Sequence, residues 1–484
     1  MKKKSLKLNM ILNAIKGIMG IIFPLITFPY VSRVLGVDNL GSFNFANSVI
    51  SYFVLAAGLG ISTYAIREGS RFRDDNSKFK HFADEMFTIN MAATAVSYFL
   101  LLVFMIAVPK FANYKVLLII LSLQIVFKTI GIEWIYSIYE DYAYITARSI
   151  AFQVISLVLM FAFVRERTAV NIYAAISVVS GVGSNVLNYF HAKRYCNVGI
   201  TQKVDWKRHM KPIMVLFAMS VTVTVYVSSD TTILGFLCSD YNVGIYSVAT
   251  KIYGIVKTLL SSVLIVSIPR LSALLGANDK IGFEKNASDI YKTLITIMLP
   301  AMVGIIALRK EIVLIVSGEE FISAVPSLVI LSIALIFCMG AWFWGQCILV
   351  PAKKENIVFK ATVASALVNI ILNFALIPFW KENAAAFTTL LAEAIAFFWC
   401  KHEGKKIVKP VGINKVLMKT ICGCVGIVLC DVIVTQLKLG TYGQTIVLIM
   451  LAVVAYFSIE LLLKNEALTD VYQSVVRKIV KRRS

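Results

Sequence analysis

Charged side chains are scarce in this sequence, and long polar segments are missing. Asp, Glu, Lys and Arg make up only 15% of the 484 residues, whereas 58% are hydrophobic. A soluble domain carries roughly 25% charged residues. The low charge therefore excludes an ordinary soluble protein. Because no polar segment is long enough to fold by itself, the sequence also argues against most classes of enzyme.

Apolar runs of about 18 to 27 residues recur along the chain, and each is long enough to cross a hydrocarbon core of ~30 Å. They predict an all-α integral membrane protein with fourteen transmembrane helices. The predicted spans are residues 9–35, 43–66, 86–108, 115–137, 146–164, 169–190, 212–236, 243–268, 291–308, 326–350, 357–379, 384–400, 416–437 and 443–463.

The formal net charge of +21 would suit a nucleic-acid partner, but the basic residues are not spread over the chain. Lys and Arg concentrate in alternate loops and at the two termini. Such a bias marks the cytoplasmic side of a membrane protein. The charge therefore predicts a multi-pass protein with both termini cytoplasmic, and no nucleic acid as a partner.

The two halves of the chain carry similar segments. Gly41 begins Gly-Ser-Phe-Asn-Phe-Ala and Gly244 begins Gly-Ile-Tyr-Ser-Val-Ala, and an arginine follows each glycine after 26 residues, at Arg67 and Arg270. Six predicted helices separate the copies, so the halves keep the same orientation in the membrane. Parallel repeats of this kind are typical of alternating-access transporters.

The repeat divides the chain into two pseudo-symmetric six-helix lobes and an appendage. The N-lobe covers 1–208, the C-lobe covers 209–405, and two extra helices occupy 406–463. The tail, 464–484, combines an apolar stripe at helical spacing with many basic residues. It predicts an amphipathic cytoplasmic helix that binds anionic membrane lipid. A solvated basic tail is the alternative.

Five ionisable residues inside the predicted spans are candidates for function, because a charge in hydrocarbon needs a cavity or a partner. They are Arg33, Asp230, Lys251, Lys257 and Glu393. Fixed cations suit a phosphate-bearing substrate, since guanidinium and ammonium groups donate charge-assisted hydrogen bonds to phosphate. In the alternative interpretation these charges pair with one another, for example Asp230 with Lys251, and hold the helices together.

Two further ionisable residues, Lys16 and Glu460, lie near predicted helix ends. Long side chains at such positions reach the polar interface. We therefore expect both to point toward water and to have no role in transport.

Several segments resemble the Wzx-type polysaccharide flippases of the multidrug, oligosaccharidyl-lipid and polysaccharide exporter superfamily. The similarity extends over nearly the whole chain, and it lies in the order and spacing of the motifs. These motifs are Phe-Pro-Tyr-Val-Ser-Arg-Val-Leu-Gly at 28–36, Ile-Glu-Trp-Ile-Tyr at 132–136 with Arg-Ser-Ile at 148–150, Asp-Thr-Thr-Ile-Leu-Gly at 230–235, Val-Gly-Ile-Tyr-Ser at 243–247 with Lys-Ile at 251–252, and Ile-Pro-Arg-Leu at 268–271.

The resemblance implies two six-helix lobes around a central cavity, and a lipid-linked oligosaccharide carried on undecaprenyl diphosphate as the substrate. It places cavity cations in helices 1 and 8. Arg33 matches the first, and helix 8 offers Lys251 and, at its inner end, Arg270. Arg148 is a further candidate for holding the diphosphate. The implied location is the bacterial cytoplasmic membrane, where a polysaccharide polymerase and glycosyltransferases would be partners.

The resemblance also implies a site that couples transport to sodium ions or protons. No cofactor besides such an ion is expected. Related transporters hold sodium between helices 7, 11 and 12, and the matching positions here are Asp230, Asn369, Asn373 and Thr389. All four supply oxygen ligands, as a hard cation requires. The family often has a second acid where this chain has Asn373, so coupling to protons through Asp230 stays open.

The sequence therefore predicts a secondary transporter that flips lipid-linked oligosaccharide repeat units and is not an enzyme. Another exporter of the same superfamily, for lipid II or drugs, is the nearest alternative. A membrane polysaccharide polymerase or ligase would need a long catalytic outer loop, which we do not find. A scaffold for a synthase complex is a third possibility, and the charged spans argue only weakly against it.

Overall fold

The computed structural model describes residues 6–437 and 439–469, with side chains described fully from residue 17. These residues form helices and no strand. Twelve of the described helical segments are long and apolar enough to cross a membrane. This confirms the predicted all-α membrane fold.

The chain divides into two compact units, Met1–Gly244 and Ile245–Ser484. The division lies 36 residues beyond the repeat boundary of 208. The two units are defined by contacts, whereas the predicted lobes are defined by repeated sequence. The units therefore do not test the lobe boundaries, which stay a prediction.

From Leu6 onward, where its description starts, the first unit contains nine complete helices, and α10 begins at its end. Within this unit α1 packs against α3, α4, α6 and α9. Short 3-10 turns connect several helices, and a π-helical segment, Val179–Gly183, separates α7 from α8. The helices are α1 (Leu6–Gly58), α2 (Ile61–Gly69), α3 (Asn76–Ala107), α4 (Lys115–Ile130), α5 (Glu133–Ile138), α6 (Tyr142–Phe163), α7 (Val170–Val178), α8 (Asn185–Ala192), α9 (Trp206–Leu237) and α10 (Asp240–Ile265).

The second unit is built around the packing of α14 on α15 and of α12 on α14 and α16, with α17 against α16. A π-helical segment, Phe343–Leu349, extends α14. The helices that follow α10 are α11 (Ile268–Gly276), α12 (Lys280–Ala307), α13 (Arg309–Val316), α14 (Val325–Trp342), α15 (Glu355–Gly404), α16 (Ile413–Gln436) and α17 (Thr441–Leu462).

Two helices are much longer than a bilayer requires, and each contains a break. The 53-residue α1 leaves helical geometry at Gly36 (φ 74°, ψ 178°), and the 50-residue α15 does so at Lys381 (φ 51°, ψ −129°). A single crossing needs only ~20 residues. Both breaks fall between spans that the sequence predicts as separate. The exact count of fourteen crossings remains a prediction.

Two other predicted spans are interrupted. The span 43–66 is divided between α1 and α2, because Leu59 (φ 45°) and Gly60 (φ 71°) adopt left-handed geometry. The span 115–137 is divided between α4 and α5 at Ile132 (φ 36°). A left-handed residue cannot continue a right-handed helix, so each span ends in a separate short helix.

The two glycines that mark the repeat lie against each other's backbone within the first unit. A Cβ atom added to Gly41 would lie 1.8 Å from the carbonyl oxygen of Asp240 and 2.9 Å from the nitrogen of Gly244. A Cβ added to Gly244 would lie 2.1 Å from the carbonyl oxygen of Val37. Small residues at such contacts let helix backbones approach closely in membranes. The repeat signature therefore marks a helix crossing where only glycine fits.

Candidate functional site

Arg148, a predicted phosphate ligand, is buried on α6 and forms an ion pair. Its guanidinium donates to Glu133 Oε1 at 2.7 Å and to the carbonyl oxygen of Ser184 at 3.4 Å. Only 5% of its side chain is exposed, against 48% for Glu133. Arg148 Nε is buried and has no hydrogen-bond partner among the described residues. The arginine is therefore buried beside a carboxylate that is half exposed. One of its N–H donors has no partner among the described residues.

Asp230 is buried on α9, in a segment whose neighbouring hydroxyl groups contact α1. The Thr232 hydroxyl, two residues later, lies within hydrogen-bond distance of Ser48 Oγ, at 2.9 Å, and of the Tyr52 hydroxyl, at 3.3 Å. Repeated hydroxyls in a membrane helix provide hydrogen bonds where water is absent. These hydroxyl partners on α1 were not predicted, because nothing in the sequence relates positions 48 and 52 to position 232.

Arg33 is exposed on α1, three residues before the break at Gly36. The break ends the first straight part of the helix just beyond the arginine. Its predicted role in binding diphosphate stays an expectation.

In the second unit, Lys257 on α10 and Glu393 on α15 are paired with each other. The ammonium lies 3.5 Å from Glu393 Oε1, and the Tyr253 hydroxyl donates to the same oxygen at 3.4 Å. The two predicted site residues therefore contact one another, as the alternative interpretation of the charges requires. Lys251 is partly buried and lies six residues before Lys257, which places it about 120° further around the helix.

The predicted ion ligands Asn369 and Asn373 meet inside α15, on either side of one threonine. Asn373 Nδ2 donates to Asn369 Oδ1 at 3.1 Å, and the Thr388 hydroxyl donates to Asn373 Oδ1 at 2.5 Å. Asn369 Nδ2 in turn donates to Thr388 Oγ1 at 3.3 Å. The predicted ligand Thr389 instead donates to the carbonyl oxygen of Ala385 at 3.0 Å. The hydroxyl that joins the two asparagines is thus the neighbour of the residue named from sequence.

This arrangement suits a hard cation. Amide and hydroxyl oxygens are ligands that a hard cation accepts. Both asparagines are buried. The fourth predicted ligand, Asp230, belongs to the first unit.

The expectation for Glu460 was wrong. Its side chain is fully buried, and Asn465 Nδ2 donates to Oε2 at 2.5 Å. Tyr456, one turn earlier, donates to the carbonyl oxygen of Thr296 on α12 at 2.6 Å. Glu460 does not reach water because α17 packs this face against α12 and α16. The side chain of Lys16 lies outside the described residues, as does most of the predicted amphipathic tail (470–484).

Arg270 lies on α11 and is exposed. The residue lines a cavity of about 440 Å³ formed with residues of α10 and α12. The sequence predicts a phosphate-binding role for this arginine.

The comparisons with known proteins agree with this fold. Residues 6–275, more than half of the chain, match the family model described as "Polysaccharide biosynthesis protein", and residues 215–375 match the MatE family model. The "Putative O-antigen transporter" of Escherichia coli (strain K12) is 22% identical over 396 residues, which are 81% of this chain and 95% of that protein.

Two further relatives are named as flippases. The "Probable low-salt glycan biosynthesis flippase Agl15" of Haloferax volcanii is 28% identical over 166 residues, or 34% of this chain and 35% of that protein. The solved structure titled "Lipid II flippase MurJ, inward closed conformation" superimposes with a TM-score of 0.74 at 17% identity, covering 97% of this chain and 99% of that one. At this identity the likeness shows the fold alone.

The family match extends over α1 to α10 and all but the last residue of α11, and the apolar helices and the likeness in fold extend over both units. The relatives are named as transporters and flippases and not as enzymes. The chain therefore belongs to the polysaccharide biosynthesis protein family and is a multi-pass membrane protein, a Wzx-type flippase of the multidrug, oligosaccharidyl-lipid and polysaccharide exporter superfamily.

Proposed function

We propose that the chain is a secondary transporter that moves undecaprenyl-diphosphate-linked oligosaccharide repeat units from the inner to the outer leaflet. The observation that carries this proposal is the match of residues 6–275 to the polysaccharide biosynthesis family. The polymer under construction would be O-antigen, capsule or exopolysaccharide. The protein would lie in the bacterial cytoplasmic membrane with both termini cytoplasmic, since Lys and Arg concentrate in alternate loops.

The chemistry of the substrate explains why charged groups persist in apolar helices. The isoprenoid tail can stay in the bilayer, whereas the sugar and diphosphate need a polar route. Arg33, Lys251 and Arg148 are our candidates for holding the diphosphate. Arg148 suits this role because its Nε donor is unused and its partner Glu133 is half exposed. A diphosphate that displaces Glu133 would receive charge-assisted hydrogen bonds from the guanidinium.

We assign coupling of the movement to an ion gradient to Asp230. Asp230 is buried, and a buried carboxylate is costly to keep charged unless a proton or a cation neutralises it. Asn369, Asn373 and Thr389 remain the proposed additional sodium ligands, and Thr388 joins them because it bonds both asparagines. The pairing of Lys257 with Glu393 favours a structural role for these two residues over a role in coupling.

Charge reversal at Arg33 tests the proposal in cells that lack their own copy of the transporter. Arg33→Glu should abolish surface polysaccharide at normal protein level, because the carboxylate repels the diphosphate. Arg33→Lys, the matched control, keeps the positive charge and should keep most of the polymer. Unchanged surface polymer in Arg33→Glu would remove this residue from the mechanism.

Partners follow from the same proposal. Glycosyltransferases would supply the lipid-linked oligosaccharide at the inner face, and a polymerase would consume it at the outer face. Co-purification with these enzymes from intact membranes would test the association.

A further inference from the structure

The cavity beside Arg270 lies in the second unit, where the chain turns from α10 into α11 and meets α12. Its volume is about 440 Å³, within the ~300–1,000 Å³ range of ligand pockets. Two cations and one carboxylate line it, Arg270, Lys285 and Asp289. The other lining residues are neutral, and they are Val263, Ser267, Asn286, Ile290 and Thr293.

The two cations of this cavity are available to a ligand. Neither Arg270 nor Lys285 has a carboxylate oxygen within 4.0 Å among the residues that the structure describes. The Ser267 and Thr293 hydroxyls and one N–H of Asn286 are already used as donors. Asn286 Nδ2 donates to the carbonyl oxygen of Gly282 at 2.7 Å, and the Thr293 hydroxyl donates to that of Asp289 at 2.8 Å. Besides the second N–H of Asn286, the donors that remain are the guanidinium and the ammonium, which favours an anion.

The position of the cavity along α12 indicates what kind of anion. All the charged residues of this helix lie in its first half, from Lys280 to Lys292, and the second half to Ala307 is entirely uncharged. All the α12 residues that line the cavity belong to the charged half, and among them Ile290 lies near the apolar half. A helix changes in this way where it leaves the hydrocarbon core for the headgroup region. Lipid phosphates lie at that depth.

We propose that this cavity binds the phosphate of a membrane lipid, with Arg270 and Lys285 as its ligands. Guanidinium binds phosphate oxygens with two parallel hydrogen bonds, and ammonium adds a point charge. Asp289 opposes the anion and keeps binding reversible. The lipid is either the diphosphate-linked substrate, an identity that rests on the proposed function, or an anionic phospholipid.

Lipid titration of the full-length protein in detergent, followed by native mass spectrometry, tests this site. The probes are sodium diphosphate, undecaprenyl diphosphate and phosphatidylglycerol, each added separately. Arg270→Gln combined with Lys285→Gln should weaken binding of at least one probe about tenfold, as expected for loss of charge-assisted bonds. Asp289→Asn should tighten the same probe several-fold. Lys280→Gln, an exposed change on the same helix outside the cavity, should leave binding unchanged.

The three probes separate the sources of the phosphate. A change for undecaprenyl diphosphate but not for phosphatidylglycerol identifies the substrate, and a change for phosphatidylglycerol identifies a resident phospholipid. Equal binding of all three probes by the wild type and the double variant would overturn the proposal, as would weaker binding in Asp289→Asn. If the double variant does not fold, Asp289→Asn decides alone.

This result does not depend on transport. If the protein failed to move lipid-linked sugar in vesicles, the binding comparison would still identify or reject the phosphate site. Conversely, normal transport with unchanged phosphate binding in the double variant would reject this site and leave the proposed function intact.

Discussion

The ion pair between Lys257 and Glu393 predicts an unequal effect of removing either partner. The two charges are 3.5 Å apart, and 35% of the lysine side chain is exposed against 7% of the glutamate. At that distance their attraction is about 5 kcal/mol for an effective dielectric constant of ~20. The partly exposed lysine has room to turn away when its partner is lost, whereas the buried glutamate has not.

Lys257→Met should therefore destabilise the protein by about 3–5 kcal/mol, the usual cost of leaving a buried charge unpaired. Glu393→Gln should lower stability by only about 1–2 kcal/mol, because the amide can still accept the hydrogen bond from Tyr253. The variant that combines Lys257→Met with Glu393→Gln should be more stable than Lys257→Met alone, since neither charge of the pair is left in the interior.

Equilibrium unfolding in mixed detergent micelles, followed by circular dichroism, measures these differences. Lys257→Arg is the matched control, because it keeps the charge, and it should remain within about 1 kcal/mol of the wild type. The double variant should also retain surface polysaccharide if the pair is structural. The reasoning is refuted if Glu393→Gln is as destabilising as Lys257→Met, or if the double variant is the least stable of the three.

Three other predictions follow from local packing and burial. Gly41→Ala should destabilise the protein by several kcal/mol, since its Cβ would overlap backbone atoms, whereas Gly254→Ala, with nothing within 4 Å, should be neutral or stabilising by up to about 1 kcal/mol; thermal melting in detergent compares them. Thr388→Val should lower stability by about 1–3 kcal/mol because it breaks the hydrogen bond to an asparagine, and Thr389→Val should lower it less; equal effects in the same assay would contradict this geometry. Burial raises the pKa of the Cys196 thiol to about 11, so maleimide should label it slowly at pH 7 and rapidly after denaturation; fast labelling of the folded protein would show that the thiol is accessible.

The sequence predicts the membrane fold because apolar length is a strong and simple signal. The breaks at Gly36 and Lys381 fall between predicted spans for the same reason, since polar residues interrupt the apolar runs there. The breaks at Leu59 and Ile132 could not be predicted. Both are apolar residues in left-handed geometry within apolar runs, where hydropathy indicates no end. The only signal is glycine, which flanks Leu59 on both sides and precedes Ile132, and glycine is common inside membrane helices.

The candidate site is only partly readable from sequence. Asn369 and Asn373 are one helical turn apart, so their shared face is predictable. Thr388 lies beyond the break at Lys381, which destroys the helical phase, and the sequence therefore does not show which of two adjacent threonines meets the asparagines.

Partners distant in sequence were missed for a related reason. The ion pair of Arg148 with Glu133 and that of Lys257 with Glu393 join different helices, and periodicity within one helix does not show contacts between helices. Glu460 was misjudged because its place near a helix end does not reveal that its face is covered by α12 and α16.

Flipping of a defined substrate by the purified protein tests the central claim most directly. The protein is reconstituted into vesicles that contain a fluorescent undecaprenyl-diphosphate-linked oligosaccharide, and a membrane-impermeant reagent reports how much of it reaches the other leaflet. We predict flipping in wild-type vesicles that depends on an imposed sodium or proton gradient and is lost in Arg33→Glu and Asp230→Asn. Flipping no faster than in protein-free vesicles under either gradient would contradict the account.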